Sequence, residues 1–179
     1  MKNIFKLNLL AVLLLSIPVF AVDGMAVIDM RTAVLSTQAA ADAFKALEED
    51  ADYSSNLEEA QTLQSERQAI AEKLQKDLET LSQEEIAKMQ KDIQDKGQDL
   101  EFLAKKIQQA QEETAQQVFA DTGASMQKII GELIQAKQIK VLLQKSEAIL
   151  FSDPALDLTD DVTSMLDVAA SSETNTQSE

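Results

Sequence analysis

From about residue 44 to 135 the chain has almost no helix breakers, is crowded with Gln, Glu, Lys, Ala and Leu, and spaces its apolar residues by alternating threes and fours. That period predicts long helices, each with a narrow apolar seam that needs a partner. In the second half the seam reads Ile86, Met89, Ile93, Leu100, Leu103, Ile107, Ala110 and Thr114, with Lys96 at the step where an apolar residue is missing. In the first half it reads Leu57, Ala60, Gln64, Arg67, Ile70, Leu74, Asp77 and Leu81, with polar interruptions. Between the halves, Ser82 and Glu85 have the spacing of a capping box, in which the hydroxyl accepts from the third amide and the carboxylate reaches back. One helix therefore ends near Thr80 and another starts at Ser82. Folding the chain back on itself pairs the two seams, so the pattern predicts an antiparallel helical hairpin.

The pattern changes on either side of the hairpin. After Thr114 an inserted four-residue step broadens the apolar face to Val118, Thr122, Met126, Ile129, Ile130, Leu133 and Ile134. Such a stutter relaxes a supercoil locally, and a wider face meets a compact body rather than one partner helix. The run MAVIDM at 25–30 is rich in β-branched residues and predicts a strand. Residues 31–35 are expected to form a connecting turn of helix, and a helix capped by Ser36 or Thr37 is expected to run on to Thr80. Within it, Glu48, Glu49, Asp50 and Asp52 read as a solvated charge run. Residues 139–144 and 148–152 are two further apolar runs separated by Lys145-Ser146-Glu147, the pattern of a β-hairpin. Both carry bulk on both faces, so one face lies on the chain's own helices and the other needs a further cover. Another copy of the chain is the simplest supply. The residues expected to build this oligomer body are Val27, Ile28, Val141, Leu143, Ile149 and Phe151. Asp153-Pro154 ends the second run, and Thr159 is placed to cap a last short helix with Asp160 and Asp161 in its first turn.

These elements add up to a mainly α chain with a small β body (α+β), in which a long antiparallel helical-hairpin coiled coil projects from a short-stranded oligomerisation body. The expected division is a signal peptide at 1–21, a body from 22–35 and 136–170, an arm from 36–135 with its turn near 80–82, and a disordered tail at 171–179.

Composition narrows the function. Residues 1–21 have Lys2 and Lys6, then an apolar run too short to span a bilayer, then Val19-Phe20-Ala21, which together read as a cleavable secretory signal. With no Cys the site is not a lipoprotein site, and the mature chain is expected to be soluble in an extracytoplasmic compartment, without stable membrane insertion. There is no His and no Cys, which removes Ser-His-Asp triads, thiolate nucleophiles and the usual zinc ligands. The four glycines, Gly24, Gly97, Gly123 and Gly131, are too scattered to cradle a phosphate. No enzyme activity, cofactor or metal is expected. The acidic cluster Asp153, Asp157, Asp160 and Asp161 lacks the spacing and turn glycine of a calcium loop. A formal charge of −15 argues against nucleic acid, whose backbone needs clustered Lys and Arg.

A leader, the strand Ala26-Val27-Ile28-Asp29, a Gln/Glu-rich hairpin, then Ile139-Lys140-Val141-Leu142-Leu143 and the segment EAILFSDPALDLTDDV at 147–162 together resemble the Skp/OmpH family of periplasmic chaperones. The strand-to-cap segment at 148–162 is the most specific part. The resemblance implies a homotrimer whose short strands form a central body and whose hairpins hang from it, holding unfolded outer-membrane β-barrel proteins between them without ATP. The family's arm tips are basic, whereas here Lys73, Lys76, Lys88 and Lys91 are offset by Glu72, Asp77, Glu79, Glu84, Glu85 and Asp92. No lipid site is carried over, and client-binding residues are not assigned. A non-catalytic adaptor or spacer of the cell envelope is the alternative. It would want a continuous seam, which Lys96, Gly97, Arg67 and Asp77 interrupt.

Overall fold

A computed structural model describes residues 24–176. The expected leader at 1–21 and the last three residues lie outside the described residues. In chain order the elements are β1 (Met25–Ile28), α1 (Met30–Leu35), α2 (Gln38–Glu49), α3 (Ala51–Asp77), α4 (Gln83–Ala136), β2 (Val141–Gln144), a 3-10 turn (Pro154–Leu156) and α5 (Thr159–Thr176).

The hairpin is α3 against α4. Its turn is closed by the capping box: the Ser82 hydroxyl accepts from the Glu85 N–H, and the Glu85 carboxylate accepts from the Ser82 N–H at 2.8 Å. At 54 residues α4 is about 80 Å long. Every seam position read on α4 from Ile86 to Thr114 is at least half-buried, Lys96 included. On α3 the seam departs from expectation: Gln64 and Arg67 are exposed and Leu63 is half-buried in their place. An apolar side chain one step away takes the covered position, which spares the arm the desolvation of an amide and a guanidinium.

The first helix is not continuous. Asp50 adopts an extended conformation (φ −67°, ψ 132°), and its carboxylate accepts from the Tyr53 N–H at 2.9 Å. Part of the charge run is therefore a helix cap, which ends α2 and starts α3. Upstream, Thr37 caps α2, its hydroxyl accepting from the Ala40 N–H at 3.2 Å.

The body closes around β1. β1 and β2 pair in parallel, Met25 opposite Val141 and Ile28 opposite Gln144. Parallel neighbours need a long crossover, and here the whole hairpin supplies it. On its other side β1 meets the approach to α5, where the Leu158 N–H donates to the Val27 carbonyl at 2.9 Å. Ala26 and Ile28 pack into a core with Ala33 and Val34 of α1, Ala40 of α2, Val118, Ile129 and Leu133 of α4, and Leu158, Val162 and Leu166 of α5. The broadened face of α4 below Thr114 is what enters this core.

Two tight connections deliver β2 to its place. Gln138 sits at φ 55° just past α4, with Ile139 N–H donating to the Ile134 carbonyl at 2.9 Å, a left-handed helix stop made without glycine. Gly24 has φ 89°, and its carbonyl accepts from the N–H groups of Lys140 and Val141. A Cβ there would lie 2.9 Å from Lys140 Cγ, so only glycine fits.

Two expectations are corrected. Residues 148–152 do not form the second strand of a hairpin. The Lys145 N–H continues the ladder by donating to the Ile28 carbonyl at 2.8 Å, and the Ile149 N–H closes a turn on the Ser146 carbonyl at 2.9 Å. The chain therefore carries on past the end of β1 instead of returning along β2. Residues 171–176, expected to be part of a structureless tail, continue α5, whose side begins with the buried Val162 and Leu166. The Ser171 and Ser172 hydroxyls there donate to the carbonyls of Asp167 and Val168.

Candidate functional site

The body is tied together by a short polar relay, of which only Thr159 was expected to cap a helix. The Asp29 carboxylate caps α1, accepting from the Thr32 N–H at 3.0 Å and the Thr32 hydroxyl at 2.8 Å. Those two donors hold it below the ordinary carboxylate range. The Asp29 N–H donates to the Thr159 hydroxyl oxygen at 3.0 Å, and that hydroxyl donates to Asp157. Thr159 thus reaches across to β1. The carboxylate accepting at the start of α5 is instead that of Asp157, from the Thr159 N–H at 3.0 Å. Its other oxygen takes Lys145 Nζ at 2.8 Å. The Lys145 bond first, and then the Thr159 hydroxyl, pull the Asp157 carboxyl down to about 2, while Lys145 is raised by the same contact. Through this chain of bonds the exit of β2, the end of β1 and the start of α5 hold one another.

The residues expected to form an oligomer body fall into two groups. Val27 and Ile28 are 5% and 2% exposed and belong to the interior of the single chain. Val141 and Leu143 are 43% and 38% exposed on β2, whose second edge carries no strand among the described residues. Ile149 is half-buried, and Phe151 is 83% exposed. Leu150 beside it, which was not in the expected set, is 97% exposed.

The arm presents a different surface. Near its base Tyr53 is buried, and its hydroxyl accepts from Gln111 Nε2 at 2.8 Å. Further out Lys96, in the seam, pairs with Glu66 across the helices. Two large apolar side chains stay exposed on the arm, Leu78 at the turn and Phe102 midway. A shallow groove of about 430 Å³ between α3 and α4 is lined by polar side chains including Asp52, Asn56 and Glu113. In the body, a more apolar groove of about 510 Å³ lies between α4 and α5 and includes Ile129, Met165 and Val168. Among the described residues no three His, Cys, Asp or Glu side chains converge to hold a metal ion, and no helix is long and apolar enough to cross a membrane. What this geometry offers is surface: an open strand edge with an apolar loop at one end, and a long polar arm at the other.

Residues 24–166 match the model of the OmpH-like outer membrane protein family. The chain belongs to that family. The match takes in both strands, the whole hairpin and the relay, and it ends within α5. No curated protein matches the chain. A solved structure described as an OmpH-like outer membrane chaperone from Caulobacter crescentus is 23% identical, with 82% of this chain and 85% of that one covered and a TM-score of 0.45.

Proposed function

We propose that this OmpH-like protein is an ATP-independent holdase chaperone of the periplasm. It binds unfolded outer-membrane barrel proteins between its helical arms and keeps them from aggregating on the way to the outer membrane. Family membership over nearly the whole described chain is the observation that carries the reading. A holdase needs no nucleotide: binding the unfolded client preferentially lowers the free concentration that aggregates.

Several copies are needed to surround a client, and we infer a homotrimer. The open edge of β2, with Val141 and Leu143 exposed, and the adjoining Leu150 and Phe151 give each chain an apolar, strand-pairing surface that support this. A bare strand edge left in water is a template for another chain, and closing it within a ring removes the liability.

The test is suppression of light scattering when a urea-unfolded outer-membrane barrel protein is diluted into buffer with the mature chain at modest excess. The client is expected to remain soluble, and multi-angle light scattering of the chaperone alone is expected to give the mass of three copies. A stable monomer that leaves client aggregation unchanged would sink the proposal and favour the envelope adaptor or spacer.

A further inference from the structure

We propose that one face of α4, running from Phe102 to Glu113, is a client contact that seats an aromatic side chain of an extended segment on Phe102 and a lysine or arginine of the same segment on the carboxylates nearer the body. This rests on the holdase reading and names a binding site within it.

Phe102 lies off the seam of α4. Its neighbour Leu103 fills the covered position at 4% exposure, while Phe102 is 60% exposed one step round the helix. An exposed Phe at a helix surface has a lower helix propensity than the Ala, Gln or Lys around it. Lys106, one turn on, lies 4.9 Å from the ring centroid and engages the aromatic ring. The steps from 102 to 106, 109 and 113 keep these residues on one face of the helix. Lys106, Gln109 and Glu113 then form one wall of the 430 Å³ groove, with Asp52 and Asn56 of α3 on the other. An aromatic platform thus leads through a cation and amides to a groove with a carboxylate on each wall.

The charge on this part of the arm sets the second half of the occupant. Glu48, Glu49 and Asp50 precede Asp52, and Glu112 accompanies Glu113. A cationic side chain is drawn to this end, and an anionic one is repelled. Eleven helical steps lead from Phe102 to Glu113, about 16 Å of axis. An extended chain covers that distance in about five residues. Strands of membrane barrels carry aromatic residues near the ends of their apolar band, next to polar and charged positions. Unfolded barrel segments therefore carry aromatic residues and polar or charged ones on the same stretch of chain.

The chain contains no Trp, so Phe102→Trp installs a single reporter. With a urea-unfolded barrel client whose own tryptophans have been replaced by Phe, its emission is expected to shift to the blue on binding. Phe102→Ala is expected to release the client about fivefold to tenfold faster than wild type, with a melting temperature no lower than wild type because the side chain is exposed and Ala is the better helix former. Asp52→Asn with Glu113→Gln is expected to weaken binding of a Lys- and Arg-rich client segment and not of one in which those residues are replaced by Gln. Wild-type release kinetics in Phe102→Ala, or Trp emission that stays put while the client is bound, would overturn this site and leave the holdase reading intact. A wild-type protein that binds no unfolded barrel would bring down both.

Discussion

The body and the arm are built from the same helix, α4, yet they are held by different amounts of structure. In the body, side chains from β1, α1, α2, α4 and α5 converge, and Ala33, Val34 and Ala40 are fully buried. In the arm, α3 and α4 cover each other along one line, where most seam residues are only half-buried and one step is the Lys96–Glu66 ion pair. Burying an apolar side chain on all sides stabilises far more than covering one flank. The body is thus expected to set global stability, and the arm to open locally at a lower free energy. A surface that has to adapt to many unfolded sequences belongs on the part that is cheaper to deform.

The sharpest way to break this contrast is a pair of truncations. Ile28→Ala in the body is expected to cost about 3 kcal/mol and to lower the denaturant midpoint of the whole chain. Leu103→Ala in the arm is expected to cost about 2 kcal/mol, because two paired helices can close on the gap more readily than a core walled by five elements. It should raise amide exchange in α3 and in α4 out to the turn while leaving β1 protected. Equal exchange increases in arm and body would show that the two unfold as one unit.

The polar relay sharpens the comparison from the body's side. Asp157 is depressed to about 2 in the folded chain from an ordinary 3.8. Its contribution is therefore fully present above about pH 5 and is lost as pH falls through 2. After discounting for the solvent-exposed Lys145, Asp157→Asn is expected to cost about 1–2 kcal/mol at pH 7 and nothing well below pH 2. Chemical denaturation across that pH range would show a flattened acid limb in the variant. A parallel offset between wild type and variant at every pH would mean that the ion pair is not the cause.

The smallest effect runs the other way. Gln138 holds a left-handed conformation at the end of α4, so Gln138→Gly is expected to stabilise by about 0.5–1 kcal/mol. A measured loss would show that the side chain's own bond from Nε2 to the Gln135 carbonyl outweighs the backbone strain.

Much of this was legible beforehand, and the reason is locality. A capping box, a three-four apolar period and a stutter depend on residues within a turn or two of each other, so Ser82, Glu85, Leu103 and Val118 announced their roles. Asp50 shows the limit. In the sequence its run of acids looks like a wet helix face, because a cap inside a helical pattern is marked by one backbone dihedral that the pattern does not carry.

By itself, the sequence determined that the chain is mostly helical, where its hairpin turns, and which face of α4 is sticky, since these follow from periodicity and local capping. Tertiary structure decided the strand partners. β1 and β2 lie far apart in sequence and pair in parallel, and whether 148–152 returns along β2 or runs on past β1 depends on Lys145 meeting Ile28 and Asp157, contacts that no local pattern encodes. It also decided exposure: Val27 and Phe151 have the same apolar character in sequence, yet one is sealed under the approach to α5 and the other stands in solvent. Hydrophobicity tells a residue to seek cover, and only the packed chain settles whether that cover is already found at home.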